Sequence, residues 1–260
     1  MLNDLLSPQY GWDGDDQDIT VALNNGRFLI SCLVHGSPTS WANPNFGIGN
    51  INGSGNIPAL NQNNLTPVVF SITCQTGWFD NEIDIDSRGG LPANSDSFAE
   101  ALLRRPQGGA VAVIAQTRVS YIYWNSFIEI GLFKAIWPDF TPSPHWSGYP
   151  TVPTVSTPRL LRMGQILNFS KMFMAKSYSP SYKREIQFEM GHLFGDPEMP
   201  IWTNAPGKLD VDHPNGIGST GQQSFVVRVT DEATSQALLN ATDEVLKRRR
   251  LFEWKTGFIN

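Results

Sequence analysis

Cysteine is scarce in this chain: Cys32 and Cys74 are the only two among 260 residues. Two thiols cannot make a disulfide framework, and neither a CxxC pair nor a paired-histidine spacing marks a structural zinc site. Basic charge is in deficit, with 19 Lys and Arg against 24 Asp and Glu, a net charge of -5 and a pI near 5.3. That balance argues against nucleic acid as a partner, which needs a basic face. The one basic run, Lys247-Arg248-Arg249-Arg250, reads as a solvated tail. No run of about 18 apolar residues occurs, so no membrane span is expected. The first residues, Met1-Leu2-Asn3-Asp4-Leu5-Leu6, lack a basic n-region and a sustained apolar core, so no signal peptide is expected within them. Charged residues make up 17%, apolar ones 40%, and 23 Gly and 18 Pro point to a globule with long connections rather than bundled helices.

What is present centres on two strand-like runs. Phe28-Leu29-Ile30-Ser31-Cys32-Leu33-Val34 delivers His35-Gly36-Ser37 at its C-terminal end, and Pro67-Val68-Val69-Phe70-Ser71-Ile72-Thr73 delivers Cys74-Gln75-Thr76-Gly77. In an open parallel sheet, strand ends on one edge are where ligands sit, so a histidine and a cysteine distant in sequence can meet there. That is the geometry of a thiol nucleophile and its base.

Around these runs the chain reads as an α/β unit. Asp18 can cap a short helix over residues 19–24, with Asn25-Gly26 as its left-handed stop. Residues 43–56, a mixture of Gly, Asn and Ile, form a long connection at the expected ligand edge. Asp80-Asn81-Glu82-Ile83-Asp84-Ile85-Asp86 places acids at alternate positions. Asp80, Glu82 and Asp84 could collect oxygen ligands for calcium as a structural ion, or could be a solvated loop, and no recognisable calcium-loop pattern is present. Ser95 or Ser97 caps a helix with Phe98, Leu102 and Leu103 inward, and Ala110-Val111-Ala112-Val113-Ile114-Ala115 reads as a strand covered on both faces. Three such strands with helical crossovers argue for a doubly covered, mostly parallel sheet.

Residues 116–124 return to the edge of His35 and Cys74. Tyr121 and Trp124 could wall a substrate pocket there or could begin the next helix, which continues through Phe127, Ile130, Leu132, Phe133 and Ile136 and stops before Pro138. Ser37 and Gln75 flank the two candidate catalytic residues as substrate-binding candidates. A second long helix carries Leu160, Met163, Ile166, Leu167 and Phe173 as core, and a third piece runs over residues 182–193. His145, His192 and His213 have no partner pattern and read as surface or satisfied histidines. After Pro206 the alternation in residues 208–212 and 223–229 is that of antiparallel strands. Residues 231–260 read as helix or tail.

A thiol becomes an effective nucleophile when a histidine takes its proton, and the developing oxyanion needs donors. Gly36 lacks a side chain, so its backbone N–H can approach substrate; the N–H of Cys74 is the second candidate. On spacing alone, Cys74 as an ordinary buried thiol and His35 as a loop histidine remain open. A phosphatase cradle would want Arg six residues after the cysteine, where Asp80 stands. Cys32 reads as a small core hydrophobe.

The segments His35-Gly36-Ser37-Pro38-Thr39-Ser40-Trp41, Ser71-Ile72-Thr73-Cys74, Ser97-Phe98-Ala99-Glu100-Ala101-Leu102-Leu103, Ala112-Val113-Ile114-Ala115 and Phe194-Gly195-Asp196-Pro197 occur in the order seen in the gingipain-type cysteine peptidases of the caspase-like clan. From about Asp18 to Thr203 the chain resembles that family. The resemblance implies a caspase-like three-layer α/β sandwich with a mostly parallel sheet, His35 as proton acceptor, Cys74 as nucleophile, and an oxyanion hole from the N–H groups of Gly36 and Cys74. It implies a protein or peptide substrate, no required cofactor, and a secreted or cell-surface location. It also implies residues 1–203 as a catalytic subdomain lacking an N-terminal α/β half, a possible partner, and residues 204–260 as an incomplete immunoglobulin-like β module with a tail. The family's histidine-orienting and pocket acids lie upstream of the matched region, so its preference for basic residues is not carried over; Asp80, Glu82 or Asp84 are the substitutes on offer for a pocket acid. The expected activity is that of a cysteine endopeptidase. The alternatives are a catalytically incomplete member serving as a secreted binding or adhesion module, and a peptidase active only after association with the missing half.

Overall fold

The structure is a computed structural model that describes residues 14–42, 44–49, 55–80, 96–142, 155, 157–177, 182–203, 208–214 and 226–237, with the backbone of two later strands. The chain divides into two compact units, Met1–Ile201 and Trp202–Asn260.

The first unit opens with α1 (Asp16–Asn24), whose N-cap is Asp15. The Asp15 side chain accepts from the N–H groups of Gln17 and Asp18, and the Asp18 carboxylate reaches back to the N–H of Asp15. Asp18 is therefore the return arm of a capping box. This corrects the expectation that Asp18 itself caps the helix. Gly26, at φ +80°, supplies the left-handed stop.

A four-stranded sheet in the order β1-β4-β5-β6 forms the middle layer. Its strands are β1 (Leu29–Cys32), β4 (Val68–Ser71), β5 (Ala112–Gln116) and β6 (Gly191–Phe194). The first three are parallel, with Cys32 opposite Ser71 and Ser71 opposite Ala115. Between β1 and β4 lie the two-residue strands β2 (His35–Gly36) and β3 (Trp41–Ala42), paired antiparallel, and a short helix, α2 (Asn56–Ala59). β6 runs antiparallel to β5. This is a correction: residues 182–193 were expected to be one helical piece, but the helix, α6 (Tyr182–Met190), ends where Gly191 begins the strand. β5 supplies an open edge there, and ladder bonds to it outweigh the local helical preference.

Side chains alternate across the sheet, as pleating requires. Val68, Phe70, Ile72, Ala112 and Ile114 meet α4 (Ile122–Ile136) and α5 (Met163–Ser177) in one core. Val69, Val113 and Ala115 meet α3 (Phe98–Arg104), Leu23 of α1, Trp41 and Phe46 in the other. Three layers follow directly from these two cores. Ser97 caps α3 and pairs with Glu100 in a second capping box. Of the methionines on α5, Met163 and Met174 are buried and Met172 is exposed.

In the second unit, β7 (Leu209–Asp212) pairs antiparallel with β8 (Arg228–Asp231); the first matches the strand expected over 208–212, while the second begins only at Arg228, late in the run expected over 223–229. β9 (Glu244–Arg248) and β10 (Leu251–Lys255) form an antiparallel pair. The helix-or-tail reading of residues 231–260 is thus corrected to strand pairing over these ten-odd positions. Two strands close on each other there through one backbone ladder, and this offsets the weak β propensity of a segment rich in Glu, Lys and Arg.

Candidate active site

β1 and β4 fix where the candidate pair emerges. Cys32 and Ser71 are direct partners in the parallel ladder, and Ile72 N–H donates to Cys32 O at 2.9 Å. His35 and Cys74 are each the third residue beyond that rung, so they leave neighbouring strands over the same C-terminal edge. The contact at Gly36 closes the gap. A Cβ built on Gly36 would lie 2.5 Å from Thr73 Oγ1 and 2.7 Å from Cys74 O. Only a residue without a side chain allows the His35 segment to lie this close to the cysteine turn.

The turn is rigidly supported. Ser71, Thr73 and Thr76, all fully buried, form a hydroxyl cluster: Ser71 Oγ lies 2.8 Å from Thr76 Oγ1, and Thr73 Oγ1 lies 3.1 Å from Thr76 Oγ1. Trp41 Nε1 donates to Ser71 Oγ at 2.8 Å, tying the cluster to the β2–β3 hairpin that carries His35. Gln75 N–H donates to Arg118 O and Gly77 N–H to Gln116 O, anchoring the turn on the end of β5. Gln75 itself holds φ +60°, in the left-handed region that non-glycine residues rarely occupy.

Cys74 is half-buried, and among the described residues its sulfur is engaged by Ser120. The thiol donates to Ser120 O at 3.3 Å, while Ser120 N–H and Oγ–H point at the sulfur from 3.4 Å and 3.8 Å. The backbone N–H of Cys74 donates no hydrogen bond among the described residues. His35 is exposed, and no carboxylate pairs with it among the described residues. Cys32 is a different kind of thiol: burial first and the nearby Glu129 carboxylate second push it up to about 12. It stays protonated at neutral pH and cannot compete as a nucleophile.

The other sequence candidates fall in distinct places. Ser37 Oγ accepts from the N–H groups of Thr39 and Ser40 and holds the β2–β3 turn. Gln75 is half-exposed beside Cys74. Tyr121 is the N-cap of α4, 42% exposed, with Lys183 Nζ 4.9 Å from its ring centre. Trp124 is buried in the core on the α4 side, so for it the start-of-helix reading holds rather than an open pocket wall. Asp80 forms a two-pronged pair with Arg118 at 3.1 Å and 2.7 Å, and that guanidinium lies 5.2 Å over the Trp78 ring. Glu82 and Asp84 lie outside the described residues, as does His145. No group of three or more His, Cys, Asp or Glu able to hold a metal ion occurs among the described residues. A polar cavity of about 500 Å³ lies beside the hairpin, lined by Asp16, Thr39, Ser40, Asn45 and Asn56, so part of the 43–56 connection does border a cavity. Sequence reading missed Ser120, Asn125 and the hydroxyl cluster. Asn125 carried a readable signal: an amide among Trp124, Phe127 and Ile128 on an otherwise apolar helix start.

The His35 segment and the Cys74 turn thus leave neighbouring strands over one edge of a mostly parallel sheet that carries helices on both faces, the arrangement of an α/β protein. The chain belongs to peptidase family C25, whose family model matches residues 7–202. Gingipain R2 of Porphyromonas gingivalis is 24% identical over 211 residues, covering 79% of this chain and 24% of the relative. Gingipain R1 of the same organism is 30% identical over 105 residues, covering 39% of this chain and 9% of the relative. Among solved structures, the Arg-specific cysteine proteinase gingipain R superposes with a TM-score of 0.58 at 22% identity, covering 83% of this chain and 42% of that one. The complex of the pro- and mature domains of RgpB gives 0.59 at 23%, covering 88% and 48%. The fold is therefore that of part of gingipain R, and the chain spans less than half the length of each of these four.

Proposed function

We propose that this chain carries the nucleophile-bearing part of a cysteine endopeptidase that cleaves peptide bonds through an acyl-enzyme on Cys74. The observation that supports the reading is the close approach of Gly36 to Thr73 and to the backbone of Cys74, which brings the segment carrying His35 against the cysteine turn. His35 takes the Cys74 proton as the sulfur attacks the scissile carbonyl, and the oxyanion accepts from the N–H groups of Gly36 and Cys74. His35 then gives its proton to the departing amine, leaving a thioester. Water attacks the thioester after losing a proton to His35, and the thiol and a carboxylic acid are restored. Ser37, Gln75 and Tyr121 border the path of the peptide. The steps use only side chains and backbone of the chain; a calcium ion, if held, would have a structural role.

The partial coverage of the relatives and the absence of a carboxylate on His35 among the described residues favour a second reading within the first. Here the acid that orients His35 comes from an upstream α/β half that docks to this one. We further read the antiparallel strands after residue 206 as the beginning of an immunoglobulin-like module, and the protein as exported.

Residue-resolved labelling with iodoacetamide or a peptidyl acyloxymethyl ketone tests the reading. Cys74 is expected to react selectively over Cys32, and His35→Ala to slow that reaction by on the order of 10²-fold or more. Slow, equal labelling of both thiols would instead mark a binding or adhesion module without peptidase chemistry.

A further inference from the structure

Four polar groups form a directed chain that ends on the Cys74 sulfur. Gln187 Nε2, on α6, donates to Asn125 Oδ1 at 2.7 Å; Asn125 Nδ2, on α4, donates to Ser120 Oγ at 2.7 Å; Ser120 Oγ lies 3.8 Å from Cys74 Sγ. The direction is fixed by one backbone group. Asn125 Nδ2 also lies 3.3 Å from Ile72 O, a carbonyl that can only accept, so the nitrogen must face it and the oxygen must face Gln187. Ser120 Oγ therefore receives a hydrogen from Asn125 and keeps its own to donate. The acceptor within reach is sulfur.

The chain is almost entirely out of water, with Asn125 3%, Gln187 0% and Ser120 7% exposed. Burying two amides costs stability unless their groups are bonded, and Gln187 Oε1 has no partner among the described residues. An aliphatic residue at 187 would fill the space without that cost. A stability role alone thus explains Gln187 poorly, and an oriented donor chain explains it well.

We propose that Ser120 is a third side chain of the reacting centre, stabilising the Cys74 thiolate, and that Asn125 and Gln187 are positioning residues that aim its hydroxyl. The inference rests on Cys74 being the nucleophile. In the resting thiol, Sγ–H donates to Ser120 O; when that proton passes to His35, this bond is lost. Ser120 N–H at 3.4 Å and Oγ–H then face a negative sulfur, and both contacts strengthen because bonds to a charged acceptor are shorter and stronger. The aligned amide dipoles behind the hydroxyl add to its donor strength. Charged and titratable groups on the neighbouring segments include His35 on β2, the Asp80–Arg118 pair, Lys183 over Tyr121, and Glu129 and Glu189 on α4 and α6.

The test is the pH profile of Cys74 alkylation by iodoacetamide in the full chain, read by mass mapping, with thermal melting run in parallel. Ser120→Ala is expected to move the profile midpoint up by about half to one pH unit, the effect of losing one hydrogen bond to the charged form. Ser120→Thr, which keeps the hydroxyl, restores the midpoint. Gln187→Met moves it up by less, and adds nothing in the Ser120→Ala background, since its influence passes through the serine. A Ser120→Ala midpoint matching wild type in a folded protein overturns the inference, as does a Gln187→Met shift that persists in full without the serine hydroxyl. Should Gln187→Met not fold, the Ser120 pair decides alone. His35→Ala separates the two claims. If it suppresses labelling while Ser120→Ala does nothing, the peptidase reading stands and this inference falls. If Ser120→Ala shifts the midpoint while His35→Ala leaves the rate unchanged, the serine acts on the thiol and the peptidase reading falls.

Discussion

At the scale of single residues, the site depends on what is missing from Gly36. A methyl group there would sit 2.7 Å from Cys74 O, a backbone atom that cannot swing aside. Gly36→Ala must therefore displace either the histidine hairpin or the cysteine turn, and shifts near 1 Å in a catalytic constellation cost about 10²-fold. We expect Gly36→Ala to lower the Cys74 labelling rate by roughly that factor, with only a modest fall in melting temperature, measured on the same samples. The sequence made this residue visible as a donor of a close-approaching N–H, yet not as a spacer, because spacing is a property of the partner strand. Ser120 and Gln187 were illegible for a related reason, and Asn125, conspicuous as an amide on an apolar helix start, gave no hint of its partners. Their meaning is three-dimensional: the carbonyl of Ile72 gives Asn125 its orientation, and no local pattern in residues 120–125 announces it. Trp124 shows the converse, since its aromatic character suits a pocket wall, but the helical phase of α4 turns it toward Phe127 and the core.

At the scale of elements, helix α3 was the most legible. Ser97 and Glu100 are spaced as a capping box, Phe98, Ala99 and Leu102 form its buried face, and each of these features is written locally. Ser97 Oγ accepts from Glu100 N–H and donates to Glu100 Oε2, so Ser97→Ala strips the cap. We expect it to cost about 1 kcal/mol, seen as a lower urea midpoint with an unchanged slope. Strand β6 was the least legible. Residues 187–194 continue an amphipathic run, and only the vacant edge of β5 turns Gly191 and the residues after it into a strand. The β2–β3 pairing was missed likewise, since two-residue strands have no periodicity to read. By contrast the parallel order of β1, β4 and β5 followed from three apolar runs separated by helical crossovers, a pattern long enough to carry its own signal.

At the scale of the whole molecule, burial sets a pH dependence. Glu129 on α4 is held beside β1, where Ser31 Oγ donates to its Oε1 at 2.6 Å. Burial raises its carboxyl above the ordinary 4.5, and the Ser31 bond opposes this only in part. The folded chain thus holds that proton more tightly than the unfolded chain. This group's contribution is fully present below the unfolded value and is lost as pH rises through the folded one. Glu129→Gln is expected to remove that loss: the variant should exceed wild type in melting temperature at pH 7 by a few degrees and match it near pH 4. A variant less stable at both values would show that the carboxylate is favourable where it lies. The proposed docking of an upstream half carries its own test: supplying that segment in trans is expected to raise the Cys74 labelling rate while leaving Cys32 unmodified.

The sheet order β1-β4-β5-β6 leaves one flank of β1 unpaired among the described residues. Such a margin is adhesive, because its amide and carbonyl groups can zip onto any extended chain, including another copy of this one. Handling of the isolated chain should reflect this. On concentration it is expected to form dimers and larger species by light scattering, and a capping segment laid along Leu29–Cys32 should keep it monodisperse.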